Sequence, residues 1–153
     1  NQWEIFMGYN QAYSAYQNTN IKTASQGKLI VLLYEAAIRN LNSASTLIYD
    51  ENKIKACDIE KFSTFIQKTQ AIITELQVSL DMEKGGDIAK NLMSLYVYFN
   101  SELMDVSINH TKEKITFVLN MLNELLEAWK QAANSTAANA PATPVSSALN
   151  IEG

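Results

Sequence analysis

Asp81, Glu83 and Asp87 crowd around a glycine pair, Gly85-Gly86, and acids beside a glycine turn are one way to build a cation or phosphate loop. The spacing supports neither. It does not match an EF-hand, and Lys84 sits among the acids. The Gly-x-x-x-x-Gly-Lys-Ser/Thr pattern of a phosphate cradle is absent. Helix capping and solvated charge account for these acids better. His110 is the only histidine, and it falls in a predicted turn without a neighbouring cysteine or carboxylate cluster, which makes a poor metal site. Cys57 falls at a predicted helix start, where a thiol ionises more readily, but no Cys/His pairing accompanies it. A carboxylate metal centre in a bundle would want Glu-x-x-His, which is also missing. No enzyme, metal or cofactor is therefore expected.

The elements that carry these residues read as all-α. The chain has 153 residues, enough for one domain with a sizeable core. Both prolines, Pro141 and Pro144, come near the end, so little but glycine interrupts long helices earlier. A first helix is expected after Ser25, with Thr23 and Ser25 as N-cap candidates. Leu29, Leu32, Leu33, Ala36, Ala37 and Leu41 repeat there at helical spacing, and the pattern fades near Tyr49. Asp50 to Lys55 is a polar connection. A second helix spans about Asp58 to Met82 and is stopped by Gly85-Gly86. Asp87 then caps a third helix carrying Ile88, Leu92, Leu95, Tyr96, Phe99, Leu103 and Val106. A turn at Asn109 to Lys112 leads into a fourth, with Ile115, Val118, Leu122, Leu125 and Trp129. Four amphipathic helices on short connections predict an antiparallel four-helix bundle over residues 17–133.

Two flanking segments differ from the bundle. In residues 1–16, Ile5, Tyr9, Ala12, Tyr13 and Tyr16 share one face of a short helix that is marginal alone and must dock its apolar side. Met7 is a natural start, which makes residues 1–6 an upstream extension or a cloning remnant. Residues 134–153 are rich in Ala, Ser, Thr, Asn and Pro and are expected to form a flexible tail. The net charge of -4 argues against a general nucleic-acid binder. No apolar run reaches the roughly 20 residues that span a bilayer. No secretory signal is read at the start, and the single cysteine allows no internal disulfide, which fits a reducing compartment.

The tyrosines are the feature that core packing explains least. Tyr96 and Tyr98 point about 200° apart on a helix, so they cannot share one face, and one is expected at the surface or in a groove. Tyrosine suits peptide recognition because its ring buries area while its hydroxyl stays paired.

Four ordered segments resemble one family. Asp-Met-Glu-Lys-Gly-Gly-Asp-Ile-Ala-Lys-Asn-Leu-Met-Ser-Leu-Tyr-Val-Tyr, residues 81–98, resembles the signature of FliS, the flagellar export chaperones for flagellin. The tyrosines around Tyr13 resemble the family's N-terminal segment. Thr23-Ala-Ser-Gln-Gly-Lys-Leu-Ile-Val-Leu-Leu-Tyr-Glu-Ala-Ala-Ile resembles its first-helix motif, and Leu122 to Lys130 resembles the end of its last helix. The likeness covers about residues 8–132. Gln26 stands where the family usually has proline, and Tyr34-Glu35-Ala36-Ala37 replaces Tyr-Asp-Gly-Ala.

The resemblance implies a cytoplasmic chaperone that binds the C-terminal segment of flagellin. It would prevent premature polymerisation and assist delivery to the flagellar type III export apparatus. It also implies the export gate protein FlhA as a docking partner, with FliW and FlgM as further partners in some members. Leu29, Leu33, Tyr34, Ile88, Asn91, Leu92, Leu95 and Tyr96 are the candidates for a flagellin-binding groove. Ile5, Tyr9, Tyr13 and Tyr16 are the candidates for a lid that covers it. The alternative reading is a structural or adaptor protein that self-associates through its apolar stripes.

Overall fold

The computed structural model describes residues 24–139, and the expected N-terminal lid lies outside them. Four helices follow one another: α1 (Ala24–Thr46), α2 (Ile59–Val78), α3 (Gly86–Asn109) and α4 (Lys112–Asn139). The expected all-α bundle is what forms. Each helix packs against the next, and α4 closes the ring against α1. Contacts between α2 and α3 pair Gln77 with Met93, Gln70 with Asn100 and Phe62 with His110, so rising numbers meet falling ones and the two helices are antiparallel.

The connection between α1 and α2 is more ordered than the expected polar link. Ile48–Tyr49 (β1) pairs antiparallel with Lys53–Ile54 (β2), with Ile48 opposite Ile54. Glu51 and Asn52 both take left-handed backbone at the tip, φ 58° and 60°. Asn tolerates that conformation better than most residues. The tip also reaches across the bundle end: the Lys112 backbone N–H donates to Asn52 Oδ1 at 3.1 Å, capping the start of α4.

The link between α2 and α3 also departs from expectation. The second helix does not continue to Met82, and the glycine pair does not stop it. It ends at Val78, where the Ser79 hydroxyl donates to the Leu76 carbonyl at 2.7 Å. Asp81 Oδ1 then accepts from the backbone N–H groups of Glu83 and Lys84 at 3.0 and 2.9 Å. Ser and Asp side chains compete with helical hydrogen bonding in this way. Nor is Asp87 the cap of α3. Gly85 holds that position and Asp87 lies in the first turn, where its charge favours the positive end of the helix. Gly86 has φ +56° with open space where a Cβ would stand, so backbone conformation rather than crowding selects glycine there.

At the far end of α3, His110 takes the left-handed cap conformation, φ 57°, and its N–H returns to the Val106 carbonyl at 2.8 Å. The predicted turn is therefore present. α4 runs to Asn139, past the expected boundary at residue 133. Alanine-rich sequence is strongly helix-forming, and no proline intervenes before Pro141.

The core is a contiguous cluster from all four helices, with Tyr34 and Ala37 of α1, Phe62 and Ile66 of α2, Phe99 and Leu103 of α3, and Leu122 and Trp129 of α4 at its centre. Two tyrosines are buried within it. Their hydroxyls are 2.6 Å apart, and their rings meet edge to face at 6.4 Å between centroids. The bond links α1 to α3 across the bundle. Burial pushes both phenols far above the usual tyrosine range, Tyr34 further raised by its neighbour, while a polar contribution from Trp129 works in the opposite direction at both.

Candidate functional site

Asp81 organises the α2–α3 turn, and no cluster of three or more His, Cys, Asp or Glu that could hold a metal ion occurs among the described residues. His110 packs its ring edge against Phe62, 5.2 Å between centroids, and serves the helix cap. Cys57 is exposed beside a cavity of about 460 Å³ that is lined by Glu60, Lys61, Thr64, Phe65 and Lys68, essentially one face of α2. No described helix is long and apolar enough to cross a membrane.

The expected groove residues do not gather in one place. Tyr34, Leu92 and Tyr96 lie in the core, at 0, 0 and 1 % exposure, and support the surface from beneath. Leu29 is 54 % exposed on α1, with half-buried Leu33 one turn on. Glu35 of α1 pairs with Lys130 of α4 at 3.6 Å. Leu33, two residues earlier and about 200° round the helix, therefore faces the α2 side. Ile88 and Leu95 are half-buried on α3, and Asn91 is exposed rather than set within an apolar face. Helices α1 and α3 stand at opposite corners of the ring, so Leu29 and Leu33 belong to a different edge from Ile88, Asn91 and Leu95.

The second of these edges is the more developed. On α3, Asn100 and Met93 meet α2, which leaves Ile88, Asn91, Leu95 and Tyr98 on the side of α4. Tyr98, unlike its buried neighbour two residues earlier, is 44 % exposed, and its ring stands edge to face on Phe117 of α4, 6.1 Å between centroids. The expectation that one of the two tyrosines reaches the surface is met by Tyr98. Nearer the hairpin end, Lys114 bridges Asp105 at 2.9 Å and Glu102 at 3.8 Å. That hydrogen bond lowers the Asp105 carboxyl below its usual range and raises the Lys114 ammonium. Among the four neighbouring helix pairs, α3 and α4 pack least closely. Half-buried Met121 continues the α4 wall. The result is a largely apolar seam with an ion pair and an aromatic contact toward one end.

Sequence reasoning pointed to Tyr98 as a candidate surface tyrosine without placing it on this seam, and missed Phe117, Met121 and Glu124. The seven-residue spacing from Asn91 to Tyr98, and from Phe117 to Glu124, places each pair on one helix face. Only the register between the helices joins them. An exposed stripe on the other edge of α3, Val97, Met104 and Ile108, was missed too.

Comparison with known proteins places the chain in a family. The family model described as "Flagellar protein FliS" matches residues 9–136. A Campylobacter jejuni protein named flagellar secretion chaperone FliS is 36 % identical over 129 residues, 84 % of this chain and 96 % of its own. Relatives of the same name from Salmonella typhimurium and Bacillus subtilis are 33 % identical over 112 residues and 26 % identical over 129. The Salmonella match covers 72 % of this chain and 78 % of the relative, and the Bacillus match 84 % and 91 %. With most of its length matched by the family model and by these relatives, the chain is a member of the FliS family of flagellar proteins.

Proposed function

We propose that this chain is a flagellar export chaperone whose client is flagellin, and that it holds flagellin's C-terminal segment along the α3–α4 seam. The observation that carries the reading is the seam itself. Ile88, Leu95, Tyr98, Phe117 and Met121 offer apolar surface at helical spacing where two helices of the bundle pack most loosely. An amphipathic helix laid into such a groove buries its apolar face without the bundle having to unfold. Ordering a disordered client segment costs free energy, so a second apolar edge, Leu29 with Leu33, extends the contact surface. Tyr34, Leu92 and Tyr96 act from below by fixing the wall that the client meets.

Covering the client's apolar face keeps it from polymerising in the cytoplasm. Release follows competition at the export apparatus, with FlhA as the docking partner. FliW and FlgM are further candidate partners. No bond is made or broken, so no catalytic residue is required. The segment carrying Ile5, Tyr9, Tyr13 and Tyr16 is proposed to cover the groove until flagellin displaces it. Removing residues 1–16 then tightens flagellin binding, and unchanged or weaker affinity with an intact bundle removes the lid from the scheme.

Light scattering after size exclusion tests the reading as a whole. A stoichiometric complex with a C-terminal flagellin segment is expected. Self-association without that segment, and no complex with it, would favour the adaptor reading instead.

A further inference from the structure

Glu124 lies seven residues beyond Phe117 on α4, and Asn91 lies seven residues before Tyr98 on α3, each about two turns along the same face. Phe117 and Tyr98 touch, and α3 and α4 run in opposite directions, so Glu124 and Asn91 come into register across the seam. They do not bond. Glu124 is half-buried; its Oε1 is shut off from water and has no hydrogen-bond partner, so an incoming group meets this carboxylate from its open side or after the side chain turns outward. Nearer the hairpin end of the seam Asp105, whose side chain is partly open to water, receives Lys114. Asn100 also leaves its Oδ1 unmet, but it is neutral and its Nδ2 donates to the Gln70 carbonyl and the Thr74 hydroxyl. A carboxylate oxygen with neither water nor donor is a standing cost to the folded chain.

We infer that Glu124 is the specificity-determining contact of the seam, and that it receives a lysine or arginine carried within the apolar stripe of the bound segment. The inference rests on the proposed binding of a helical client in this groove. Asn91 stands opposite with an amide free of any described partner, suited to the same polar group or to the client's backbone. Ile88, Leu95 and Met121 flank the position and take the apolar side chains to either side of the basic one. The occupant is thus an amphipathic helix with one cation inside its apolar face, rather than a purely apolar one.

Calorimetric titration with a C-terminal flagellin segment, at low and high salt, tests this on Glu124→Gln and Glu124→Ala. Both variants should melt no lower than the parent, since they remove a carboxylate whose Oε1 is buried without a partner. Both should bind roughly ten-fold more weakly or worse, the loss of a charge-assisted hydrogen bond, and lose most of the salt dependence of binding. Parental affinity and salt dependence in both variants would overturn the inference and leave the flagellin reading intact. Lower melting temperatures that account for the weaker binding would overturn it as well, because Glu124 would then hold the bundle together. A parent chain that binds no flagellin segment would overturn both.

Discussion

Helix α3 is shared by two seams that are built differently. Toward α2, Gln70 and Asn100 each donate their side-chain amide to the other's backbone carbonyl, at 3.5 and 3.4 Å, and Asn100 adds the Thr74 hydroxyl at 3.3 Å. Toward α4, about two and a half turns nearer the start of α3, Asn91 and Glu124 come into register with no bond between them, and Glu124 Oε1 has no partner. The α2 seam is fastened by reciprocal amide–carbonyl bonds, although Asn100 Oδ1 is left unmet. Among the described residues, the polar and aromatic contacts of the α4 seam gather near the hairpin end, where Lys114 meets Asp105 and Glu102 and Phe117 meets Tyr98. A bundle meant only to be stable would fasten both. Leaving one partly open costs some stability, a cost that the proposed binding of a client there would explain.

The largest test of this contrast compares an aromatic residue of the core with one on the α3–α4 seam. Phe99 is fully buried, so Phe99→Ala should destabilise the chain by about 3–5 kcal/mol. Phe117 is 43 % exposed on the seam, and Phe117→Ala should cost about half as much or less. Denaturant titration reads both, and equal losses would mean that the seam is core.

The buried tyrosine pair gives the next effect. Tyr96→Phe leaves the Tyr34 hydroxyl without its 2.6 Å partner and should cost about 1–3 kcal/mol. Replacing both tyrosines by Phe should recover part of that loss, which a double-mutant cycle would detect as coupling. Alkaline pH probes the same pair. Both phenols are raised in the folded chain, so their contribution is complete below the unfolded value near 10 and is lost as pH rises above it. The slope is about 1.4 kcal/mol per phenol per pH unit while only the unfolded form ionises. A melting temperature that is flat from pH 9 to about 11 would contradict this account of the core. The smallest test returns to the two seams. Asn100→Ala should cost about 1 kcal/mol, whereas Asn91→Ala should stay within about 0.5 kcal/mol.

What the sequence made legible follows from which interactions are local. The apolar period of Leu92, Tyr96, Phe99, Leu103 and Val106 is a property of one helix, and these residues are where it puts them. The Tyr96–Tyr98 argument worked for the same reason. The α2–α3 turn was misread because glycine is the louder signal, while Ser79 and Asp81 act through side-chain hydrogen bonds at Leu76, Glu83 and Lys84. The β-hairpin escaped notice because its strands are two residues each and its tip is fixed by Asn52 reaching Lys112, sixty positions away. The groove residues scattered for a related reason. A period that marks the apolar face does not say which of its edges lies against a neighbouring helix and which is left open. Tyr34 and Leu92, expected in a groove, lie in the core, while the position of Glu124 and Phe117 on the seam follows only from the register of α3 against α4.

Hydrogen–deuterium exchange of the chain with and without a C-terminal segment of flagellin tests the central claim most directly. The account predicts a stoichiometric complex in which protection rises along Ile88 to Tyr98 of α3 and Phe117 to Ala128 of α4, with little change where α2 meets α3. Protection confined to the α2–α3 seam, or no change on adding the segment, would contradict it.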